Sequence, residues 1–165
     1  MIDAPHLKVR SSRIVRPQLV VAAAGLAALI GHTVDLIRRD PIFAAIAVRI
    51  DGTTGRVQAD PAQLQLVVQN VLINAAQAMS GQGSVTIAFS AIDGRSQTSI
   101  ADAGPGMPPE VLEHAFEPFF TTKSRGTGLG LPLAKRIVEA HGGEIRIDTP
   151  PTGGTTVTLV LPLAG

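Results

Sequence analysis

The sequence predicts an α+β fold with helices on one face of a mixed sheet, and three observations carry that prediction. Six to eight short strand-like runs are interspersed with three longer runs of helical period, and hairpin signals replace strict strand–helix alternation. The dipeptide Asp93-Gly94 stands between two alternating apolar runs, a strong two-residue hairpin signal. Asp60-Pro61-Ala62-Gln63 opens the longest apolar-periodic run with an N-cap acid, Pro at the first helical position and Gln where a capping box wants it.

Taken in order, residues 1–16 show no periodicity and read as a basic leader or the remnant of a preceding linker, ahead of one domain over residues 17–165. Pro17 to Val21 is expected as a short strand. A helix follows from about Ala23 to Arg39, with Leu26, Leu29, Ile30, Val34 and Ile37 inward, and Asp40-Pro41 stops it. Ala45 to Ile50 and Arg56 to Gln58 read as strands around the turn Asp51-Gly-Thr-Thr-Gly55. The helix opened at Asp60 should run to about Met79 and stop at Ser80-Gly81. Leu64, Val67, Val68, Val71, Leu72, Ala75 and Met79 form its buried stripe, and Asn70, Asn74 and Gln77 a polar stripe beside it. Gly83 to Ala91 and Arg95 to Ala101 are the hairpin strands, and Pro108 to Ala115 is a short helix. Pro132 to His141 is a helix with Leu133, Ile137 and Val138 inward, ended by Gly142-Gly143. Glu144 to Asp148 and Thr155 to Leu161 close the chain as a strand pair.

Composition removes several classes of function. The chain has 165 residues, 45% of them apolar, enough for a single full core. It has no cysteine, which excludes disulfides and thiolate metal sites and fits a reducing, cytoplasmic compartment. The net charge of +1 divides unevenly, because Lys8, Arg10, Arg13 and Arg16 face only Asp3 in the leader. The body is slightly acidic, with no basic stripe or interleaved aromatics, so nucleic acid is not an expected partner. Leu19 to Ile30 is apolar for only 12 residues, short of the ~20 a membrane-spanning helix needs. His6, His32, His114 and His141 are scattered and suggest no metal cluster.

The chemistry concentrates between Asp102 and Leu131. Glycine lets backbone N–H groups approach an anion closely, and a helix start adds unpaired donors and a positive dipole end. Gly126 to Leu131, directly ahead of a helical run, therefore reads as a phosphate cradle or, with equal weight on that segment alone, as a glycine-rich loop without a ligand. There is no G-x-x-x-x-G-K-[ST] segment and no G-x-G-x-x-G after a strand.

In combination these pieces resemble the ATP-binding catalytic domain of sensor histidine kinases, nearest the nitrogen-regulation type, within the superfamily of gyrase, mismatch-repair and heat-shock-chaperone ATPases. Gln65 to Ala78 resembles the Asn box and Asp102-Ala-Gly-Pro-Gly106 the first glycine box. Phe116-Glu-Pro-Phe-Phe120 resembles the Phe box and Gly126-Thr-Gly-Leu-Gly130 the second glycine box. Residues 137–143 and 154–162 match the closing segments. The resemblance implies a two-layer α/β sandwich with a mostly antiparallel sheet, about three helices on one face and an ATP lid. It implies that Asp102 accepts from the adenine amino group, that Gly104, Gly106 and Met107 lie against the base, and that Asn74 binds Mg²⁺ with Asn70 in support. The resemblance further implies that backbone amides of Gly128, Leu129, Gly130 and Leu131 would hold phosphates, with Gln77, Phe116 and Thr127 nearby. By the same resemblance Lys123 and Arg125 would meet phosphate from the lid, Phe119 and Phe120 would join Phe116 in an apolar latch, and Thr155 or Thr156 would assist at the adenine through water.

Two departures from the family pattern bear on mechanism. Gln77 stands where many members carry Lys or Arg. No histidine here is followed by Glu or Asp and then, four residues on, Pro, so the acceptor domain is expected just ahead of this segment. The implied function is transfer of the ATP γ-phosphoryl to a histidine on that dimerisation domain, of the same or a sister chain, with a response regulator receiver domain downstream. Homodimerisation would then run through the missing domain. A non-catalytic ATP-binding regulatory module and a clamp-type ATPase are the competing functions.

Overall fold

A computed structural model describes residues 20–21 and 23–165, with side chains from residue 25 onward. The leader over residues 1–16 and the first part of the expected strand at Pro17 lie outside the described residues. The elements are β1 (Val20–Val21), α1 (Ala23–Ile37), a 3₁₀ turn (Pro41–Phe43), β2 (Ala45–Gly52), β3 (Val57–Gln58), α2 (Pro61–Ala78), β4 (Gln82–Ile92) and β5 (Arg95–Asp102). They continue with α3 (Pro109–Leu112), α4 (Gly130–Ala140), β6 (Glu144–Asp148) and β7 (Thr155–Pro162).

The main sheet runs β2-β4-β5-β7-β6, antiparallel throughout except for the parallel pair β2/β4, and β1 pairs with β3 in a separate antiparallel ribbon. The fold is therefore α+β with a mixed, mostly antiparallel sheet. Alternation along the strands turns Val85, Ile87 and Phe89 of β4, Ile100 of β5 and Val157 and Leu159 of β7 into the core. Helices α2 and α4 pack on that face and on each other, and α1 packs on α2. Leu64, Val67, Val68, Val71, Leu72, Ala75 and Met79 are all buried, as the helical period requires.

Helix α2 is held at both ends by local chemistry. Asp60 Oδ1 accepts from the N–H groups of Ala62 (2.9 Å) and Gln63 (3.2 Å). The expected reciprocal bond is replaced: Gln63 reaches the Asp60 carboxylate, and the Asp60 N–H donates instead to His141 Nε2 at 3.1 Å. His141 must then carry its proton on Nδ1, which donates to the Ile137 carbonyl at 2.7 Å. At the other end Gly81 N–H meets Ala76 O and Ser80 N–H meets Gln77 O, with Ser80 in the left-handed region at φ 53°.

Two expectations are corrected. The strands at 45–52 and 57–58 do not pair across their turn; β2 takes β4 and β3 takes β1. Helix α4 starts at Gly130, two residues early, and buries Ala134, Ile137 and Val138 while Leu133 stays 43% exposed. Leu133 lies one helical step, ~100°, from Ala134, and the small residue takes the side where α4 and α2 pack.

Candidate functional site

The C-terminal end of β5 carries Asp102, and everything around it is arranged by backbone contacts. Asp102 lies opposite Thr155 of β7, and its Oδ1 accepts from the N–H groups of Gly104 (2.9 Å) and Thr155 (3.2 Å). The second carboxylate oxygen has no partner among the described residues and is free to accept. Gly154 N–H donates to Gly104 O at 2.7 Å and Met107 N–H to Thr149 Oγ1 at 3.3 Å, so the segment after Asp102 is tied to the β6–β7 connection. Gly106, at φ 82°, must be glycine here, since a Cβ would stand 2.6 Å from Thr149 Cγ2.

Asp102, Gly106, Met107 and Thr155 open onto one cleft with Asn74 of α2 and Leu131 of α4. Val71, Ala75 and Ala78 of α2, Ile100 of β5 and Val157 of β7 supply its apolar lining. The motif residues thus converge from separate stretches of chain, and of the residues named around the cleft Ile100 and Thr149 lie outside every motif quoted from the sequence. Ile100 and Val157 were discoverable, because each stands two strand positions from a named residue. Thr156 points to the opposite face of β7 from Thr155 and Val157.

On the far side of Asn74 the cleft meets the start of α4. Leu129 caps that helix without a side-chain bond, so its first-turn N–H groups, at Gly130 and Leu131, have no intrahelical carbonyl. Asn70 faces this end: a Cβ added at Gly130 would lie 3.2 Å from Asn70 Oδ1. Thr127 Oγ1 accepts from the Leu129 N–H at 3.3 Å. Gly128, at φ 68°, packs its α-carbon against the Phe119–Phe120 peptide, and Phe119 N–H donates to Gly128 O at 2.9 Å. The Phe segment and the second glycine segment are therefore clasped together at the base of the exposed loop 121–127.

From that loop Lys123 reaches back to α2, where Nζ donates to Asn74 Oδ1 at 2.7 Å and to Gln77 Oε1. Burial lowers the Lys123 pKa from its ordinary value. Arg125 is exposed and makes no hydrogen bond or ion pair among the described residues. The three Phe do not form one cluster. Phe116 packs on the core beneath Lys135 Nζ, Phe119 is 77% exposed, and Phe120 lies tilted by 44° against the His114 ring with centroids 5.4 Å apart.

Residues 59–165 match the family model described as histidine kinase-, DNA gyrase B-, and HSP90-like ATPase. The chain belongs to this ATPase family. Among curated relatives it is 38% identical over 156 residues to the sensor histidine kinase ZraS of Klebsiella oxytoca, covering 92% of this chain and 34% of that one. It is 39% identical over 141 residues to the signal transduction histidine-protein kinase AtoS of Escherichia coli (strain K12), covering 84% and 23%. The mycobacterial sensor histidine kinase MprB superposes with a TM-score of 0.77 at 32% identity, over 88% of this chain and 97% of that one. The catalytic domain of histidine kinase ThkA gives 0.75 at 29% identity, over 89% and 96%. This member of the family thus has the ATP-binding catalytic domain fold of histidine kinases and spans about a third of the length of ZraS.

Proposed function

We propose that this chain is the ATP-binding catalytic domain of a cytoplasmic two-component signalling kinase, which delivers the ATP γ-phosphoryl to a histidine on a separate helical dimerisation domain, for relay to a response regulator receiver domain. The observation that carries it is the convergence of Asp102, Asn74, Thr155 and the α4 start on one cleft. Asp102 accepts the adenine amino hydrogen through its free oxygen, and the two backbone donors on the other oxygen hold the carboxylate in place. Thr155 stands beside it, and Gly104, Gly106 and Met107 give the base a flat backbone wall. Phosphates lie at the α4 N-terminus, within reach of the Gly128–Leu131 amides, Thr127 and Asn70, with Lys123 and Arg125 closing from the lid.

The donor set fits Mg²⁺. The amide oxygen of Asn74 already accepts from a cation, the Lys123 ammonium, and a neutral oxygen donor suits a hard ion that keeps its phosphates and waters. No group of three or more His, Cys, Asp or Glu able to hold a metal occurs among the described residues, so the phosphates themselves must supply the negative charge. When bound at Asn74, the metal would neutralise charge developing on the transferred group. The cytoplasmic placement rests on the kinase reading alone.

The test is phosphoryl transfer. The chain mixed with or fused to a helical domain bearing an acceptor histidine should label that histidine from radioactive ATP, and Asn74→Ala should abolish the labelling. ATP binding without any transfer from the fused protein would leave a regulatory nucleotide module in place of a kinase.

A further inference from the structure

The loop 121–127 consists of exposed residues, and its bonds to itself make only a small turn: Lys123 N–H to Thr121 Oγ1 at 3.1 Å and Gly126 N–H to Lys123 O at 3.1 Å. Among the described residues, a single side chain ties it to α2 by hydrogen bonds, that of Lys123, whose two acceptors lie 49 and 46 positions earlier in the chain. Neither acceptor is a carboxylate. Lys123 takes part in no ion pair among the described residues, and its charge is met by two amide dipoles. Such a tether holds a loop down and still yields to a stronger cation.

Asn74 Oδ1 is also the oxygen assigned above to the metal. A magnesium ion sits ~2.1 Å from its oxygen donors, so binding at Asn74 Oδ1 would place two positive charges within a few ångströms of the ammonium now hydrogen-bonded there. The two cations exclude one another on this oxygen.

We propose that Lys123 is a built-in competitor of the divalent cation: its ammonium pins the lid to α2 through Asn74 and Gln77, and a metal-carrying nucleotide enters by displacing it. Gln77 is then a positioning residue that acts through Lys123, holding the ammonium beside Asn74. Metal arrival and lid release become one event, since the ion cannot take the Asn74 oxygen while the loop remains pinned. The proposal rests on the reading of Asn74 as the metal donor.

Hydrogen exchange and calorimetry on the whole chain test it, with Lys123→Met and Gln77→Met as separate variants at exposed positions. ADP is the nucleotide probe, because it lacks the γ-phosphate that a freed Lys123 would otherwise meet. Without nucleotide, peptides covering residues 121–127 should exchange about tenfold faster in both variants than in the parent. The ratio of ADP affinity in magnesium chloride to that in EDTA should rise about three- to tenfold in Lys123→Met and move the same way in Gln77→Met. Unchanged exchange in both variants, or a ratio that stays level or falls, would overturn the competition. A parent whose magnesium dependence survives Asn74→Ala would instead remove Asn74 as the metal donor and the competition with it, while the exchange arm would still report the tether.

Discussion

Asp102→Asn separates the adenine contact from the fold, because Asp102 uses its two oxygens for different purposes. Oδ1 accepts from Gly104 and Thr155 at 2.9 and 3.2 Å, and an Asn oxygen can accept both bonds in the same place. Those bonds lose only their charge assistance at a half-exposed site, a cost of about 1 kcal/mol. The other oxygen becomes an NH₂ group. That converts a charge-assisted acceptor into a donor facing the adenine amino group, which removes about 1.5–3 kcal/mol and sets two donors against each other. These predict ATP binding weakened by about 10- to 200-fold, with a melting temperature lower by only about 2–4 °C. Calorimetry with a non-hydrolysable ATP analogue, paired with thermal unfolding, measures both. Asp102→Ala is the contrasting variant: it orphans the Gly104 and Thr155 N–H groups and should cost about 2–3 kcal/mol of stability besides. If Asp102→Asn binds the analogue within threefold of the parent, the adenine assignment is wrong. If Asp102→Asn unfolds as readily as Asp102→Ala, the division of labour between the two oxygens is wrong.

Three further outcomes follow from local geometry. Ser80 closes α2 at φ 53°, a conformation that costs a non-glycine residue energy, so Ser80→Gly should stabilise the chain by about 0.5–1 kcal/mol in urea unfolding; a loss of stability would mean its side chain contributes a contact. Gly128→Ala places a Cβ 2.5 Å from the Phe119 carbonyl carbon at φ 68°, so the clasp should open, and unchanged hydrogen-exchange protection of the Phe119 amide would refute this. The His114 pKa is raised from 6.5, chiefly by its hydrogen bond to Glu117 at 2.8 Å, then by the charges of Glu117 and Glu113. A raised histidine pKa means the pair's stabilisation is fully present below about pH 6.5 and is lost as pH rises through the higher folded value. An NMR titration should therefore find the His114 midpoint above 6.5 in the parent and shifted downward in Glu117→Gln.

Elements whose ends carry their own chemistry were legible from the sequence. Asp60 and Ser80-Gly81 bound α2, and Asp93-Gly94, with φ values of 51° and 72°, turns β4 into β5. Strand partners were not legible in this way. Residues 45–50 read as a strand from the sequence, but their partner is chosen by the α2 crossover, which brings β4 alongside in parallel. The same division runs through the cleft. The Asp102 turn and the two glycine segments announce themselves because their backbone geometry restricts which residues fit. Thr149 stands 42 positions from the Met107 N–H it accepts, and nothing local marks it. The Lys123 bridge is hidden for the same reason: the resemblance marks this lysine for a phosphate, and only the fold lays it over Asn74 and Gln77 of α2.

Asn70 bears on what the bound nucleotide can do. It stands one turn before Asn74 and against the start of α4, where the phosphates are expected; the resemblance to the wider ATPase superfamily implies a carboxylate at this position to activate water. An amide cannot accept that proton. Water is a poor nucleophile without a base, whereas neutral imidazole already offers a lone pair to phosphorus. General-base assistance is commonly worth ~10²–10⁴ in rate, so its absence should suppress hydrolysis and, on the proposed kinase reading, would spare transfer to histidine. The chain alone should therefore turn over ATP negligibly in a phosphate-release assay, even at saturating magnesium. Steady hydrolysis abolished by Asn74→Ala would show that the site finds a base elsewhere, and would favour an ATP-driven clamp over a kinase.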